Sequence, residues 1–296
     1  MKILITGDKG FVGSATRKIL DERGHEVVGY DLMDGFDIRD YNQFLNVCKL
    51  KTPNRILHLA ATSRFADADK DPKLAFENNV IGTRNIVTIA GILHIPLVFA
   101  STGSAYMPIK LEPPITEEFP IMGNSVYGCS KAIADLYVQT HTPHIILRYA
   151  HLYGKEKRGH GLIGGYFERI KRGLSPVLYG GAQSNDFTYI DDVAEANYLA
   201  LTASWDKWNQ AYNIGTGEEL SAEKAGEMIC EVLGYKGEVD KKKGREVDPG
   251  RFVYDISKAK RMLDYSPKFS FMDGLKKMFE EETKEHGETS LSKHLG

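Results

Sequence analysis

The residues most able to do chemistry are a tyrosine and a lysine four positions apart, Tyr127 and Lys131. On a helix, residues at this spacing share a face. The ammonium could then lower the pKa of the phenol from about 10 and make it usable as a base near neutral pH. The spacing alone does not identify a site, because the chain holds three more matches, at Tyr106/Lys110, Tyr153/Lys157 and Tyr254/Lys258.

Sequence context separates the four matches. Pro108 disfavours a helix through the first, Gly154 weakens the third, and the fourth lies far from any nucleotide-binding feature. The second stands in SVYGCSKAIADLYVQT, a good helix pattern with Asn124 or Ser125 as its cap. It also lies between two apolar runs typical of core strands. We therefore predict that this pair, and not the others, belongs to an active site.

A glycine-rich segment near the N-terminus predicts a nucleotide site. In KILITGDKGFVG, three glycines (Gly7, Gly10, Gly13) follow a predicted strand and open a predicted helix. Such glycines also fit a plain strand–turn–helix, but bare N–H groups at a helix N-terminus attract a pyrophosphate. The next predicted strand ends in Asp31, an acid about 20 residues on that can bind the adenosine ribose hydroxyls. A carboxylate there would repel a 2′-phosphate, which favours NAD over NADP.

Short apolar runs that alternate with amphipathic ones supply the elements for these residues. Buried parallel strands read as short, β-branched apolar runs, and their alternation with helices indicates a doubly wound α/β sheet. The predicted strands are residues 3–6, 27–30, 56–59, 97–100 and 145–147. The predicted helices are residues 12–23, 75–93, 165–172, 190–201, 222–233 and 257–263.

Bulk properties narrow the class of protein. The chain has 296 residues and a formal net charge of −2, so no strong basic field invites nucleic acid. No run approaches the roughly 18 apolar residues of a membrane span. Its cysteines (Cys48, Cys129, Cys230) lie far apart without a CxxC motif, which argues against disulfides and a zinc site and fits a reducing cytoplasm. We expect a cytoplasmic protein without nucleic-acid, membrane or metal partners.

Jointly, these motifs resemble the extended short-chain dehydrogenase/reductases, the NAD-dependent nucleotide-sugar epimerase/dehydratase family. ITGDKGFVG resembles the cofactor loop of the family, and HLAA at 58–61 resembles its third-strand motif. Asn79-Val80 with Gly82-Thr83 resembles its NVxGT helix. NDFTYIDDVAEA at 185–196 and YNIGTG at 212–217 resemble segments that return to a sugar-nucleotide lobe. The resemblance covers nearly the whole chain, to about residue 280.

The resemblance implies a site, residue by residue. Tyr127 would be the base, Thr102 would hydrogen-bond the same substrate oxygen, and Lys131 would also bind the nicotinamide ribose. The implied NAD contacts are Gly7, Gly10, Phe11, Val12, Gly13, Asp31, Asp37, Ile38, Leu59, Ala60, Ala61, Asn79 and Lys131. The implied contacts with a nucleoside-diphosphate sugar are Ser63, Gly103, Ser104, His151, Asn185 and Arg245.

The resemblance also implies an organisation. Residues 1–154 with about 186–212 would form a Rossmann domain that binds NAD, and about 155–185 with 213–280 a smaller interleaved lobe for the nucleotide sugar. Residues 281–296 would be a ragged tail. A homodimer would form through two helices of each subunit. Two positions depart from the family: His151 stands where Asn is usual, and Asn185 replaces an Arg that often holds the diphosphate.

The residues after Thr102 favour one reaction of the family. Dehydratases and decarboxylases carry acidic residues there, whereas this chain has Gly103 and Ser104. A 4-epimerase needs no second acid, because its 4-keto intermediate rotates and takes the hydride back from NADH on the other face. We expect the two small residues to leave room for that rotation.

We therefore expect a 4-epimerase of the UDP-glucose/UDP-galactose type. The alternatives are an NAD(P)-dependent nucleotide-sugar reductase or dehydrogenase, a dehydratase of the same family, and, in another class, a non-catalytic dinucleotide-binding sensor.

Overall fold

A six-stranded parallel sheet forms the centre of the computed structural model, which describes residues 1–106, 113–141, 143–155, 161–244 and 250–286. Its strands, in the order β10-β5-β4-β3-β1-β2, are Gln210–Ile214, His144–Tyr149, Leu97–Thr102, Arg55–His58, Lys2–Thr6 and Glu26–Tyr30. Three two-stranded pairs lie outside it: β6 (His151–Tyr153) with β9 (Phe187–Tyr189), β7 (Val177–Tyr179) with β12 (Asp240–Lys242), and β8 (Ser184–Asn185) with β11 (Leu220–Ser221).

Helices cover the sheet on both faces. They are α1 (Phe11–Glu22), α2 (Tyr41–Lys51), α3 (Phe65–Lys70), α4 (Pro72–Phe76), α5 (Thr83–Ile92), α6 (Val126–Val138), α7 (Gly161–Lys171), α8 (Ile190–Thr202), α9 (Ala222–Val232), α10 (Ser257–Leu263) and α11 (Phe271–His286). A π-helical turn, Glu77–Gly82, joins α4 to α5. Within the described ranges, no helix combines the length and apolar character that a membrane crossing requires.

The apolar runs form strands because both faces of the sheet are buried. Alternate side chains of a strand point to opposite faces, and here each face has its own core. Leu4 and Phe99 pack in one core, whereas Ile5 and Val98 pack in the other. A strand between two cores is therefore apolar at most of its positions. The predicted α/β class with a doubly wound parallel sheet is therefore confirmed.

The strand order places a ligand crevice beside β1. β1 pairs with β2 on one side and with β3 on the other, so the chain passes from β1 to β2 in one direction and then returns across β1 to β3. Ligands of open α/β sheets bind at such a reversal, outside the carboxyl ends of the strands. The crevice thus lies where β1 ends at Thr6 and β3 ends at His58.

The structure departs from the predicted elements at several places, and helices α2 and α3 were not predicted. The helix predicted over 75–93 is divided by the π-helical turn, which brings Asn79 into a buried position. The sixth strand, β10, was not predicted, because QAYNI is too polar to read as a buried run. The last helix, α11, continues to His286, six residues into the segment expected to be a ragged tail.

A buried ion pair joins three of these elements. Asp135 of α6 accepts two hydrogen bonds from Arg148 of β5, each 3.0 Å, and one from Ser101 of β4 at 2.7 Å. The two side chains are 0% and 3% exposed. A third Arg148 donor, Nη1, bonds the Tyr106 hydroxyl at 3.1 Å. The pair therefore holds α6 at a set depth against the strand that ends in Thr102.

Replacing Arg148 by Met should lower the free energy of unfolding by about 3–5 kcal/mol, because the Asp135 carboxylate stays buried without its cation. Urea denaturation measures this loss. Lys224→Met is the matched control, since Lys224 pairs with Glu227 at the surface, with side chains 62% and 61% exposed, and should cost less than about 1 kcal/mol. Equal midpoints for the two variants would contradict the assigned role of the buried pair.

Candidate active site

The glycine loop is shaped so that only glycine fits at two of its positions. Gly7 has φ +74°, and a Cβ there would lie 2.9 Å from the Ala60 nitrogen. A Cβ on Gly13 would lie 2.1 Å from the Gly7 carbonyl oxygen. Gly10 begins α1 and has no side chain to cap it. The first N–H groups of α1 therefore face the crevice, as an anion site at a helix N-terminus requires.

Acidic and apolar side chains lie beside this loop. The Asp31 carboxylate accepts hydrogen bonds from the Lys9 N–H at 3.1 Å and the Met33 N–H at 2.9 Å. Asp37 is bound by Arg39 in a bidentate ion pair, which lowers the pKa of its carboxyl group. Ile38 is buried against Gly82. The predicted cofactor residues at the ends of β1 and β2 are thus brought together.

A chain of hydrogen bonds crosses the crevice below the loop. The buried His58 ring contacts Thr6 Oγ1 at 2.7 Å and Thr83 Oγ1 at 3.0 Å. Burial lowers the pKa of His58 to about 3, so the ring is neutral. Thr83 donates its own proton to the Asn79 carbonyl at 2.6 Å. His58 Nε2 must then be the donor to Thr83, and Nδ1 accepts from Thr6. His58 is a structural residue.

Asn79 carries this network to the catalytic helix. Its Oδ1 accepts from the Thr62 N–H at 2.7 Å, and its Nδ2 donates to the Thr62 carbonyl at 3.0 Å and to Ser130 Oγ at 2.8 Å. Ser130 in turn donates to the Tyr127 carbonyl at 2.8 Å. Asn79, predicted as a cofactor contact, therefore fixes the loop after β3, which holds Leu59, Ala60 and Ala61, against the first turn of α6.

The structure brings Thr102, Tyr127 and Lys131 together. Thr102 ends β4 and is hydrogen-bonded to the Tyr127 phenol. Lys131 is 4% exposed, and its Nζ donates to the Ala100 carbonyl at 2.6 Å. Gly128 makes the approach possible, because a Cβ there would lie 2.4 Å from the Ser104 carbonyl oxygen. Helix α6 is thus packed directly on the turn that follows β4.

The expected effect of the ammonium on the phenol is wrong for the protein by itself. Burial raises the pKa of Tyr127, and the hydrogen bond from Thr102 opposes this shift only in part. Burial also lowers the pKa of Lys131 to about 7, against the charge of Asp135. Both groups are pushed towards their neutral forms, because desolvation disfavours charge. The Lys131 charge is directed at a backbone carbonyl, whereas the sequence pattern predicted that it would act on the Tyr127 phenol.

The other tyrosines of the Tyr-x-x-x-Lys matches are occupied elsewhere. Tyr106 donates to Asn213 Oδ1 at 2.6 Å, and Tyr153 donates to the Phe271 carbonyl at 3.2 Å. Tyr254 is buried, with its hydroxyl 3.4 Å from the Tyr149 carbonyl. Lys110 and Lys157 lie outside the described residues. The geometry therefore supports the choice of Tyr127 and Lys131.

The expectation that Gly103 leaves free space is wrong. A Cβ on Gly103 would lie 2.3 Å from Phe252 Cζ and 2.7 Å from the Tyr254 hydroxyl. Glycine is needed at position 103 because the aromatic ring of Phe252 already occupies the space that a side chain there would take. Sequence reasoning missed Phe252, and also Phe65, whose ring packs edge-on against Tyr127 with centroids 5.2 Å apart. Their only sequence signal is aromatic character, which many core residues share.

Four of the other predicted substrate residues lie in described loops, turns and strands. Ser63 is exposed in the loop after β3, and the Ser104 N–H donates to Thr102 Oγ1 at 3.3 Å. His151 is exposed in β6, with its ring 5.1 Å from that of Phe187. Asn185 lies in β8, opposite Leu220. Arg245 lies outside the described residues.

Comparison with known proteins agrees with this geometry. The model of the NAD dependent epimerase/dehydratase family matches residues 3–215. A provisionally named UDP-glucose 4-epimerase of Methanocaldococcus jannaschii is 31% identical over 299 residues, 93% of this chain and 96% of that protein.

Two solved structures extend the comparison. Thermotoga maritima UDP-glucose 4-epimerase with UDP-glucose superposes with a TM-score of 0.89 at 28% identity, over 97% of this chain and 100% of that one. Bacillus anthracis dTDP-glucose 4,6-dehydratase with NAD gives 0.84 at 26% identity, over 97% of both chains. The glycine loop and uncapped helix N-terminus fit a dinucleotide, and the cofactor is NAD.

Lys131→Met should change how stability depends on pH. Lysine keeps its proton to about pH 10.5 when unfolded, whereas folded Lys131 loses it near pH 7. Between these values the unfolded state binds more protons, so the stability that this residue contributes rises with pH. Relative to the variant, the wild type should gain about 2 kcal/mol from pH 7 to 9.

Guanidinium denaturation of protein stripped of nucleotide measures this difference at both pH values. Lys224→Met is the control, since the pKa of Lys224 is raised and its proton stays on throughout the window. A wild-type advantage that is the same at pH 7 and pH 9 would mean that Lys131 is charged in the folded protein.

Proposed function

This chain belongs to the NAD-dependent epimerase/dehydratase family, and we propose that it is a 4-epimerase of a UDP-hexose, of the UDP-glucose/UDP-galactose type. The observation that carries the proposal is the strand end Thr102-Gly103-Ser104 beside Tyr127. It offers the groups for proton transfer at the carbon that would exchange hydride with NAD, and no carboxylate for proton transfer at the next carbon. The named relatives include epimerases and a dehydratase, so this local chemistry is what separates the two reactions.

Tyr127 and Thr102 would act on the C4 hydroxyl of the sugar. Tyr127 would accept the hydroxyl proton as C4 loses its hydride, and Thr102 would hydrogen-bond the same oxygen. Thr102 already bonds the phenol oxygen, and the backbone N–H of Ser104 orients the Thr102 hydroxyl. NAD supplies the chemistry of accepting the hydride and of returning it.

Lys131 would keep the base in its working state. In the protein alone, burial holds the phenol protonated. A positive charge beside the phenolate lowers its pKa, and Lys131 lies one helical turn away with Nζ on the Ala100 carbonyl. We infer that, when NAD is bound, Lys131 weakens its bond to the Ala100 carbonyl and also donates a hydrogen bond to the nicotinamide ribose. Its charge would then be shared between the ribose and the phenolate.

The nearby carboxylates have other partners. Asp135 is bound by Arg148 and Ser101, and the Glu117 carboxylate accepts the Asn213 N–H at 2.8 Å. Dehydration needs an acid and a base at adjacent carbons, whereas Gly103 and Ser104 cannot serve as either. Epimerisation needs only that the keto sugar rotates before the hydride returns to its other face.

The test is interconversion of UDP-glucose and UDP-galactose by the purified protein, followed by chromatography of the sugars. We expect formation of the epimer without net NADH and without added nucleotide, since the cofactor is regenerated in every cycle. N-acetylated substrates in the same assay test the substituent at C2. Net NADH without an epimer would indicate a dehydrogenase, and a 4-keto-6-deoxy sugar would indicate a dehydratase.

Tyr127→Phe should lower kcat about a thousandfold, as expected for loss of a general base. Tyr179→Phe is the matched control, since Tyr179 is 37% exposed in β7. Unchanged turnover in Tyr127→Phe would contradict the role of Tyr127 as the base, whereas a wild type that binds NAD and converts no sugar would favour a protein that senses the dinucleotide without catalysis.

We further propose that two copies of the chain associate through α5 and α6, which pack side by side. Ile133, Leu136 and Tyr137 of α6 are 45%, 50% and 39% exposed. Their spacing puts them on one helix face, and apolar side chains grouped at a surface indicate an interaction site. A second copy is the occupant that the family resemblance implies.

Leu136→Glu should convert the dimer to a monomer, because a charge would be buried in the interface. Light scattering after gel filtration would then report the monomer mass of 33.1 kDa. Leu174→Glu is the control, because Leu174 is equally exposed, at 48%, outside α5 and α6. A wild-type protein that already has the monomer mass would refute the interface.

A further inference from the structure

An open groove of about 920 Å³ lies beside the glycine loop, between α1 and the edge strand β2. Its walls include Asp8 and Lys9 of the loop, Arg17 of α1, and Gly29 and Asp34 near the end of β2. It adjoins Asp31, whose carboxylate is bonded to the Lys9 N–H. In dinucleotide folds the acid at this position binds the adenosine ribose, and a nearby arginine accommodates the 2′-phosphate of NADP.

Two of the cations that line this groove, Lys9 and Arg17, already have acidic partners. Lys9 forms an ion pair with Asp34, both about 42% exposed. The pKa of Lys9 is raised, first by this hydrogen bond and then by the charges of Asp34, Asp8 and Asp31. Three carboxylates therefore act on this one lysine.

Arg17 is held in the same way by a buried partner. Its Nη1 donates to Asp8 Oδ2 at 2.6 Å, and the Asp8 side chain is only 2% exposed. The other oxygen, Asp8 Oδ1, is buried and has no hydrogen-bond partner among the described residues. Asp8 also packs against Gly29, where any Cβ would lie 2.4 Å from Oδ2. Arg17 therefore supplies the positive charge for a carboxylate that cannot turn away.

We propose that Asp8 and Asp34 act with Asp31 to exclude NADP, by occupying Arg17 and Lys9, two cations of the groove that would otherwise be free to hold a 2′-phosphate. With Asp31, the groove presents five acidic and three basic side chains to a phosphate, so binding would require like charges to approach. The ribose hydroxyls of NAD add no charge and leave both ion pairs intact. The inference depends on the use of NAD and not on which sugar is the substrate.

The test is the relative affinity for NADP+ and NAD+ of Asp8→Asn, Asp34→Asn and the double variant. Both changes keep the shape of the side chain and remove its charge. Calorimetry on protein stripped of nucleotide gives both dissociation constants. The nucleotide retained on the purified protein, identified by mass spectrometry, is a second readout. We expect each single change to shift the preference towards NADP+ by about tenfold, the worth of one hydrogen bond to a charged group.

In the double variant the shift should approach a hundredfold if the two ion pairs act independently. Glu22→Gln is the matched control, because Glu22 lines the same groove outside both ion pairs. Adding Lys9→Ala and Arg17→Ala to the double variant should remove the gain. This reversal would not follow from general loosening of the loop.

An unchanged preference in variants that still bind NAD+ would overturn the proposal and leave Asp31 as the sole determinant. Asp34→Asn keeps the test decisive should Asp8→Asn fail to fold, because the Lys9–Asp34 pair lies at the surface. Failure of the epimerase proposal would appear separately, as a wild type that binds NAD+ and converts no sugar.

Discussion

The amide of Asn79 is the connection on which the site depends. It is fully buried, and three hydrogen bonds tie it to both backbone groups of Thr62 and to Ser130. A buried amide without partners would cost several kcal/mol, so these bonds specify one arrangement of the loop after β3 and the start of α6. Through Thr83 and His58 the same residue is joined to the end of β1. The loop predicted to hold the cofactor and the helix that carries Tyr127 are therefore positioned by one network.

Sequence patterns predict the parts of this arrangement that have a strong local cause. The first five strands of the sheet are short apolar runs, because both faces of the sheet are covered. The glycines at positions 7 and 13 are needed where a Cβ would strike the backbone. The sixth strand was not predicted, because it contains the polar residue Asn213. Hydrogen bonds to Tyr106 and to the Ile115 carbonyl allow this residue to be buried. Such partners lie about a hundred residues away, and no local pattern reports them.

The electrostatics of the catalytic pair show the same limit. From spacing, Lys131 should act on Tyr127, since the two share a helix face. In the folded protein burial outweighs this effect and pushes both groups towards their neutral forms. Depth of burial is a property of the whole fold, set here by the Asp135–Arg148 pair under α6. The Asp135–Arg148 ion pair therefore contributes to the chemistry of the site without contacting it.

The contact between Gly103 and Phe252 changes the basis of the argument for epimerisation. The small residues after Thr102 were expected to leave room for a turning sugar, and the ring of Phe252 occupies that side. Charge still favours epimerisation, because the turn after β4 has no carboxylate and the neighbouring Asp135 and Glu117 are bound by other partners. The missing carboxylate separates the two reactions better than the space beside Gly103 does. A loop can move to make space, but no movement gives Gly103 or Ser104 an acidic group.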